Sequence, residues 1–276
     1  MKLCDLHTHS TFSDGTDKPE AIIAKAVEIG LSAVALCDHN SIDGVPAFLA
    51  AAEGENIAAI PGVEFSVDYN GKEAHLLGLF IPASEFDRVG ALARKVNEWK
   101  DQSNMEMIAA LNEAGYQIDY ESIKAASPNG QFNRVPVAKA MIAKGYVDSI
   151  EQAMNTVLSQ EAGYYKPPKR LLFLEVVAFL RSVDAVPVWA HPLKDFSPEE
   201  LESLLPQAKE RGLVGMECYY STYSEATTKT ALTLAETYGL KPSGGSDYHG
   251  TNKKGIALGV GRGNLQIPFD WAVALR

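Results

Sequence analysis

Short apolar runs in this chain end, one after another, close to a histidine or an acidic residue. Four runs predicted to be strands have such a residue within two positions of their end: Leu3–Leu6, Ala33–Cys37, Val186–Ala190 and Lys241–Gly245. Segments of helical periodicity lie between them, as in Lys18–Gly30, where Pro19 suits the first turn and Gly30 the end. This alternation predicts a parallel barrel or a doubly wound sheet. In barrels of this kind the chemistry lies at the carboxyl ends of the strands.

The histidines are distributed as metal ligands would be. All six lie at or near predicted strand ends or on a predicted hairpin: His7, His9, His39, His75, His191 and His249. His7 and His9 are two positions apart, as are Asp247 and His249, so an extended chain would place each pair on one face, roughly 6.5–7 Å apart at the backbone. Imidazoles mixed with carboxylates suit Zn, Mn or Fe rather than Ca. The nearby acids are Asp14, Asp38, Glu64 and Asp247.

A hairpin is predicted between two of these groups. Asn70-Gly71 is a strong signal for a two-residue turn, which pairs Tyr69 with Lys72. In this register Glu64 faces position 77 and His75 faces Ser66. Glu64 and His75 then share one face of the hairpin as diagonal neighbours, where the carboxylate could bridge two ions.

Composition narrows the partners of the chain. The formal charge of −10 over 276 residues argues against a broad footprint on duplex nucleic acid, although a locally positive pocket remains compatible with it. No apolar run approaches the roughly 18–20 residues of a membrane span, and the first residues become polar too soon for a signal peptide. We expect a cytoplasmic protein without a membrane partner, and the sequence leaves its oligomeric state open. Three cysteines without metal-site spacing, Cys4, Cys37 and Cys218, are expected to be buried apolar residues.

The pattern changes in the middle of the chain. Glu85–Gly115 is a long helical stretch, and short helical pieces and turns follow it up to the cluster Lys166-Pro-Pro-Lys-Arg170. We therefore expect a first barrel segment at 1–99, a mainly helical insertion at 100–170, and a second barrel segment at 171–276.

Taken together, the motifs resemble those of the PHP (polymerase and histidinol phosphatase) superfamily, most of all its branch of bacterial phosphoesterases that act on nucleoside 3′,5′-bisphosphates and short RNA 5′ ends. The resemblance spans nearly the whole chain. The matching segments are Asp5-Leu-His-Thr-His-Ser with Ser13-Asp14-Gly15, Cys37-Asp38-His39-Asn40, Pro61-Gly62-Val63-Glu64-Phe65, His75-Leu-Leu-Gly78, Ala190-His191-Pro192 and Ser246-Asp247-Tyr248-His249-Gly250.

The resemblance implies a distorted seven-stranded TIM-like (β/α) barrel that holds three divalent ions. One ion would be held by His7, His9, Glu64 and Asp247; a second, bridged by Glu64, by His75 and His191; the third by Asp14, His39 and His249. Of these residues, Glu64, His191 and Asp247 are expected to be catalytic. The acids Asp5 and Asp38, which are not ligands themselves, are expected to orient the ligand imidazoles.

The resemblance implies that the insertion at 100–170 caps the substrate, but the insertion departs from the family pattern. Lys100-Asp-Gln-Ser-Asn-Met105 stands where relatives often carry arginines, and Pro136 stands where a histidine is common. Arg134 and Lys166 are the candidates for phosphate contacts, and each is as readily explained as a solvated surface charge.

The predicted reaction is hydrolysis of a phosphate ester of a small nucleotide. Three ions would bring more positive charge than the three ligand carboxylates neutralise, and a metal-held water with a pKa near about 7 would be the nucleophile for in-line attack on phosphorus. A histidinol-phosphate-type phosphatase and an amidohydrolase-type enzyme that cleaves C–N or C–O bonds are the alternatives. A non-catalytic nucleotide-binding module is disfavoured, because binding alone would not require the complete ligand set.

Overall fold

The computed structural model describes residues 2–127 and 132–276. These residues form two compact units, one of Met1–Ala93 with Leu171–Arg276 and one of Arg94–Arg170. The division between the units falls inside a long helix, Phe86–Glu113, which begins in the first unit and ends in the second. No helix in the described ranges combines the length and the apolar character that crossing a membrane requires.

Strands and helices alternate through the first unit, as the apolar pattern predicts. The strands are β1 (Cys4–Thr8), β2 (Ala33–Leu36), β3 (Ala58–Tyr69), β4 (Lys72–Leu79), β5 (Leu171–Leu172), β6 (Val186–Ala190), β7 (Gly215–Tyr220) and β8 (Lys241–Gly245). The helices of this unit are α1 (Pro19–Glu28), α2 (Val45–Ala51), α7 (Phe173–Ser182), α8 (Pro192–Asp195), α9 (Pro198–Glu210), α10 (Glu225–Thr237) and α11 (Phe269–Leu275), with α3 (Phe86–Glu113) leading into the second unit.

Seven strands form a nearly closed barrel. Their order is β1-β2-β3-β4-β6-β7-β8, and β5 pairs with β3 outside this path. The two ends of the sheet meet beyond β8, where the Asp247 amide donates to the His7 carbonyl and the His9 amide to the Tyr248 carbonyl. The predicted fold class, a distorted seven-stranded α/β barrel, is confirmed.

The predicted hairpin is confirmed to the residue. β3 and β4 pair antiparallel, with Glu64 opposite Leu77, Ser66 opposite His75 and Tyr69 opposite Lys72. β3 is one continuous strand of 12 residues, so it extends well beyond the hairpin that the sequence predicts. β3 pairs with β2 through its first residues and with β4 through its later ones, so Glu64 lies inside a continuous strand rather than in a loop.

Helix α9 begins with a capping box and packs through an apolar face. At the start of α9, Ser197 accepts from the Glu200 amide while the Glu200 carboxylate accepts from the Ser197 amide, which satisfies two free amides of the first turn. Leu201, Leu204 and Leu205 are buried on the inner face of this helix. The three cysteines are unpaired and buried, as expected.

The second unit is helical and has its own apolar core. α4 (Tyr120–Ala126), α5 (Arg134–Ala143) and α6 (Ile150–Asn155) follow the end of α3. Side chains of Asp119, Asn133 and Ser149 cap these three helices by accepting backbone amides. Met107, Leu111, Val137, Met141 and Leu158 are all fully buried among its apolar residues.

Candidate metal centre

The predicted ligands converge at one end of the barrel. His7 lies in β1 and His9 directly after it, His39 follows β2, His191 follows β6, and Asp247 and His249 follow β8; Glu64 and His75 lie in β3 and β4. Asn40, His191 and Asp247 have positive φ values of 44°, 32° and 54°. Residues other than glycine rarely adopt this conformation, which costs on the order of 1–3 kcal/mol each. Local backbone strain is therefore present at two predicted ligands, His191 and Asp247, and directly after a third, His39.

Glu64 lies at the centre of the cluster and is completely buried. Its Oε2 lies 3.3 Å from Nε2 of both His7 and His9 and 3.0 Å from Nδ1 of His39. Its Oε1 lies 3.0 Å from Nδ1 of His75 and 3.3 Å from Nε2 of His191. One carboxylate thus presents its two oxygens to two different sets of imidazoles.

Asp247 faces the His7–His9 pair from β8. Its Oδ1 lies 3.2 Å from Nε2 of His9 and 3.7 Å from Nε2 of His7. The two Nε2 atoms of His7 and His9 are 3.0 Å apart. Two nitrogens that each lie about 2.0–2.1 Å from one tetrahedral ion are separated by about 3.3 Å. This spacing suits a shared cation.

Asp14 lies at the rim, with half of its side chain exposed. Its Oδ1 lies 3.0 Å from Nε2 of His249 and 4.0 Å from Nε2 of His39. The same oxygen lies 4.0 Å from Nδ1 of His9. These four residues form a second group whose ligand atoms all lie within 4.8 Å of one another.

Carboxylates and imidazoles strongly perturb each other in this cluster. Burial raises the pKa of Glu64, but the imidazoles of His39, His7 and His75 outweigh it and hold that pKa well below its usual value. Burial lowers the pKa of His75, but Glu64 outweighs it and raises that pKa to about 9. Burial and the neighbouring His249 and His39 lower the pKa of His9 to about 4. The metal-free cluster therefore binds protons on some imidazoles and excludes them from others.

Several buried atoms face the cluster without a hydrogen bond. Within the described residues these include Glu64 Oε2, His39 Nδ1, His75 Nδ1 and His249 Nε2. Leaving a buried polar atom unsatisfied costs about 1–3 kcal/mol. A carboxylate oxygen and a deprotonated ring nitrogen are both electron-pair donors, so bound cations would satisfy these atoms together once they displace the ring protons. The residues present therefore fit a cluster of divalent ions.

This electrostatic arrangement predicts a pH dependence of metal binding. His75, with its pKa near 9, is protonated at neutral pH in the metal-free protein, and a cation must displace that proton. In the metal-free protein the raised pKa contributes stability that is full below pH 6.5, the usual pKa, and is lost as the pH rises through 9. We expect the increase in Tm caused by Mn²⁺ to grow from pH 6.5 to pH 9, as measured by differential scanning fluorimetry. An increase that shrinks over this range would contradict the assignment of His75 as a ligand.

Comparison with known proteins identifies the family. The family model described as the PHP domain matches residues 5–164, more than half of the chain. The chain belongs to the PHP domain family.

Relatives of this PHP protein have named activities. It is 27% identical to a 5′-3′ exoribonuclease of Haemophilus influenzae, over 90% of both chains. It is 27% identical to a phosphoribosyl 1,2-cyclic phosphate 1,2-diphosphodiesterase of Eggerthella lenta, over 89% of this chain and 94% of that one. It is 26% identical to a 3′,5′-nucleoside bisphosphate phosphatase of Chromobacterium violaceum, over 94% and 91% of the two chains.

A solved structure shares the fold. A candidate metal-dependent phosphoesterase from Bifidobacterium adolescentis superposes with a TM-score of 0.80 at 24% identity, covering 99% of this chain and 95% of that one. The resemblance to PHP phosphoesterases predicted from the motifs is confirmed, as is the prediction of a hydrolase of phosphoric esters.

One acid of this PHP centre is not among the residues predicted from the motifs. Glu217 of β7 is completely buried, and its Oε1 lies 3.0 Å from Nδ1 of His7. Its Oε2 accepts a 2.7 Å hydrogen bond from the His191 amide. The sequence does contain a signal for it, since Gly215-Met-Glu-Cys-Tyr-Tyr220 places an acid inside an otherwise apolar strand.

Asp5 and Asp38 contact the loops that carry the ligands rather than the rings. Asp5 accepts from the amides of Ser246 and Gly259, both at 2.8 Å. Asp38 accepts from the Ser10 amide and from the Ser13 hydroxyl, and that hydroxyl lies 3.5 Å from Nδ1 of His9. Burial raises the pKa of both acids. Any effect on the imidazoles is therefore transmitted through the backbone or through Ser13.

Two further side chains fix the rotation of Asp247. Its Oδ2 accepts from the Tyr220 hydroxyl at 2.8 Å and from the Lys253 ammonium group. With Oδ2 occupied by these donors, Oδ1 is the oxygen that faces the histidines. Neither residue belongs to a motif that the sequence singles out, because each reaches Asp247 only through the fold.

The predicted phosphate contacts, Arg134 and Lys166, lie in the helical unit. The Arg134 guanidinium lies over the Tyr165 ring, 4.2 Å from its centroid, and donates to the Leu158 carbonyl at 2.7 Å. The Lys166 side chain is exposed, and its carbonyl accepts from the Ser103 hydroxyl. Arg134 has a structural role within that unit, and both remain candidate contacts to phosphate.

Proposed function

We propose that this protein hydrolyses a phosphate ester of a small nucleotide, either a nucleoside 3′,5′-bisphosphate or the 5′ end of a short RNA, and that it uses three divalent ions. The observation that carries the proposal is the position of Glu64, a buried carboxylate whose oxygens face two separate sets of imidazoles at 3.0–3.3 Å. The named activities of relatives from Haemophilus influenzae and Chromobacterium violaceum support the substrate class.

The ligands divide into three proposed sets. His7, His9, Glu64 and Asp247 would hold one ion, Glu64, His75 and His191 a second, and Asp14, His39 and His249 the third. Two groups with close ligand atoms overlap the first and third sets, namely His7, His9 and Glu64, and His9, Asp14, His39 and His249. Another close group, His39, Glu64 and His75, shows that His39 also lies beside the bridging carboxylate.

The chain supplies donors of fixed orientation for these ions. Mn, Fe and Zn are all compatible with the mixed imidazole and carboxylate donors. When bound, divalent ions would neutralise phosphoryl oxygens and activate a water molecule. Tyr220 and Lys253 hold the Asp247 carboxylate, and the complete burial of His7, His9 and Glu64 keeps bulk water from their ligand atoms. Such preorganisation accounts for much of the catalytic effect of charged sites.

Charge favours a phosphate ester as the substrate. Three divalent ions carry more positive charge than Asp14, Glu64 and Asp247 can neutralise, so the pocket would be positive in a protein whose formal charge is −10. Arg134 and Lys166 are proposed to add contacts to the substrate phosphate. The acidic surface favours small substrates over duplex nucleic acid.

The proposal is tested by the products that the manganese-loaded protein releases from nucleotide substrates. We expect release of phosphate from adenosine 3′,5′-bisphosphate or of a nucleotide from a 5′-phosphorylated oligoribonucleotide, and loss of that release in EDTA with recovery when Mn²⁺ is restored. Histidinol phosphate and a simple amide or lactone test the alternatives in the same assay. Turnover of histidinol phosphate alone, or of the amide or lactone alone, would overturn the nucleotide assignment.

A further inference from the structure

Glu217 lies where it can fix the tautomer and the orientation of His7, a proposed metal ligand, without binding the metal itself. Of the contacts described above, its Oε1 reaches the ring nitrogen of His7 that points away from Glu64 and Asp247. His7 therefore has its Nδ1 on Glu217 and its Nε2 on the proposed ion position. A metal-bound imidazole commonly donates its other ring N–H to a carboxylate, which fixes both its tautomer and its orientation.

The second oxygen of Glu217 accepts a hydrogen bond from a backbone amide, that of His191. A backbone amide can only donate, so the 2.7 Å contact from the His191 amide occupies Oε2 as an acceptor. This contact fixes the carboxylate at a residue with φ of 32°, directly where the chain turns after β6. Oε1 then faces Nδ1 of His7.

The sheet is locally irregular on both sides of this contact. The pairing of β1 with β2 shifts register between Asp5 and Thr8, which flank His7, and the pairing of β7 with β8 shifts between Glu217 and Tyr219. Such irregularities turn side chains away from the regular alternation and are common beside active sites. The His7–Glu217 contact thus joins two strands, β1 and β7, each of which is irregular at this point.

We propose that Glu217 is a positioning residue that keeps the proton of His7 on Nδ1, leaves Nε2 free for a divalent cation, and links His7 to the His191 turn. This inference rests on the metal centre of the proposed function and deepens it. Because Glu217 connects residues assigned to two different ions, its loss should weaken both positions rather than one.

Glu217→Gln separates this role from simple packing. The glutamine amide has nearly the same shape but offers one acceptor and one donor where the carboxylate offers two acceptors. If its oxygen accepts from the His191 amide, its NH₂ group faces Nδ1 of His7 and favours the tautomer with the proton on Nε2. That proton would occupy the nitrogen needed for the cation. Glu217→Ala imposes no tautomer but leaves a cavity.

The experiment measures two quantities for the full-length wild type, E217Q and E217A: the Kd for Mn²⁺ and the Tm of the metal-free protein. We expect E217Q to bind Mn²⁺ about 10–100-fold more weakly than the wild type, the usual effect of losing such a partner. We also expect E217Q to bind more weakly than E217A while having the higher Tm. A packing role alone would give both quantities the same order, with E217A the worse in each.

Binding by E217Q that equals that of the wild type, or is tighter than that of E217A, would overturn the inference. Should E217A fail to fold, the comparison of E217Q with the wild type decides by itself, since the two side chains have the same size. The readout is metal affinity, so an incorrect substrate assignment would show only in the phosphate-release assay.

Discussion

Glu64→Gln is expected to remove metal binding and nearly all activity while the barrel stays folded. The carboxylate lies 3.0–3.3 Å from five imidazoles and is the residue that connects the two sets of ligands. An amide of the same size keeps the packing but loses the charge and one acceptor. Loss of one preorganised electrostatic group commonly costs about 10²–10³-fold in kcat, and loss of an ion as well would add to this. Metal content by mass spectrometry and phosphate release measure the two effects.

Glu20→Gln is a matched control for this change. Glu20 is an exposed acid in the first turn of α1, so the same chemical substitution occurs outside the centre. We expect its metal content and kcat to equal those of the wild type. Circular dichroism should give the same spectrum for both variants. Full activity in Glu64→Gln would remove the bridging role from Glu64.

Gly245→Ala is expected to disturb the centre through the backbone. A Cβ atom at this position would lie 2.2 Å from Cβ of His7 and 2.7 Å from its backbone nitrogen, distances that real structures do not tolerate. β1 and β8 must therefore separate, and overpacking of this kind costs typically about 1–3 kcal/mol. Because His7 moves with β1, we also expect weaker Mn²⁺ binding and a loss of about 10²-fold in kcat, the effect of a displacement near 1 Å in an active site.

Gly244→Ala distinguishes this displacement from a general loss of stability. Gly244 precedes Gly245 in β8, and its added Cβ would meet Tyr219 at 2.8 Å instead of His7. We expect both variants to lose thermal stability, but only Gly245→Ala to lose affinity for Mn²⁺ at a temperature where both are folded. Equal losses of affinity would show that the position of His7 is not what Gly245 protects.

Much of the fold follows from local signals that agree with one another. Asn70-Gly71 specifies a two-residue turn, and the period of a strand then fixes which residues pair, so Glu64 opposite Leu77 follows without tertiary information. Ser197 with Pro198 and Glu200 defines the start of α9 in the same way. The continuity of β3 could not be predicted, because Pro61 and Gly62 weaken the strand pattern and only pairing with its neighbours on both sides restores it.

The candidate site was predicted where chemistry and spacing coincide. The six histidines could be predicted as metal ligands from the sequence, since few other roles would place all of them at strand ends or on one hairpin. Glu217 could not be predicted from the sequence, because its role depends on His7. His7 is 210 positions away in sequence, and only the closure of the barrel brings the two side chains to 3.0 Å. Tyr220 and Lys253 could not be predicted either, because only the fold brings them to Asp247. That Asp5 and Asp38 orient imidazoles stays a prediction, because their direct contacts are with backbone amides and serine hydroxyls.

The most direct test of the metal centre is an anomalous difference map from crystals of the full chain grown with Mn²⁺, recorded near the manganese absorption edge. The account predicts three peaks per chain, one beside His7, His9 and Asp247, one beside His75 and His191, and one beside Asp14, His39 and His249, with Glu64 between the first two. A map with no peak among these residues, or with every peak elsewhere on the protein, would contradict it.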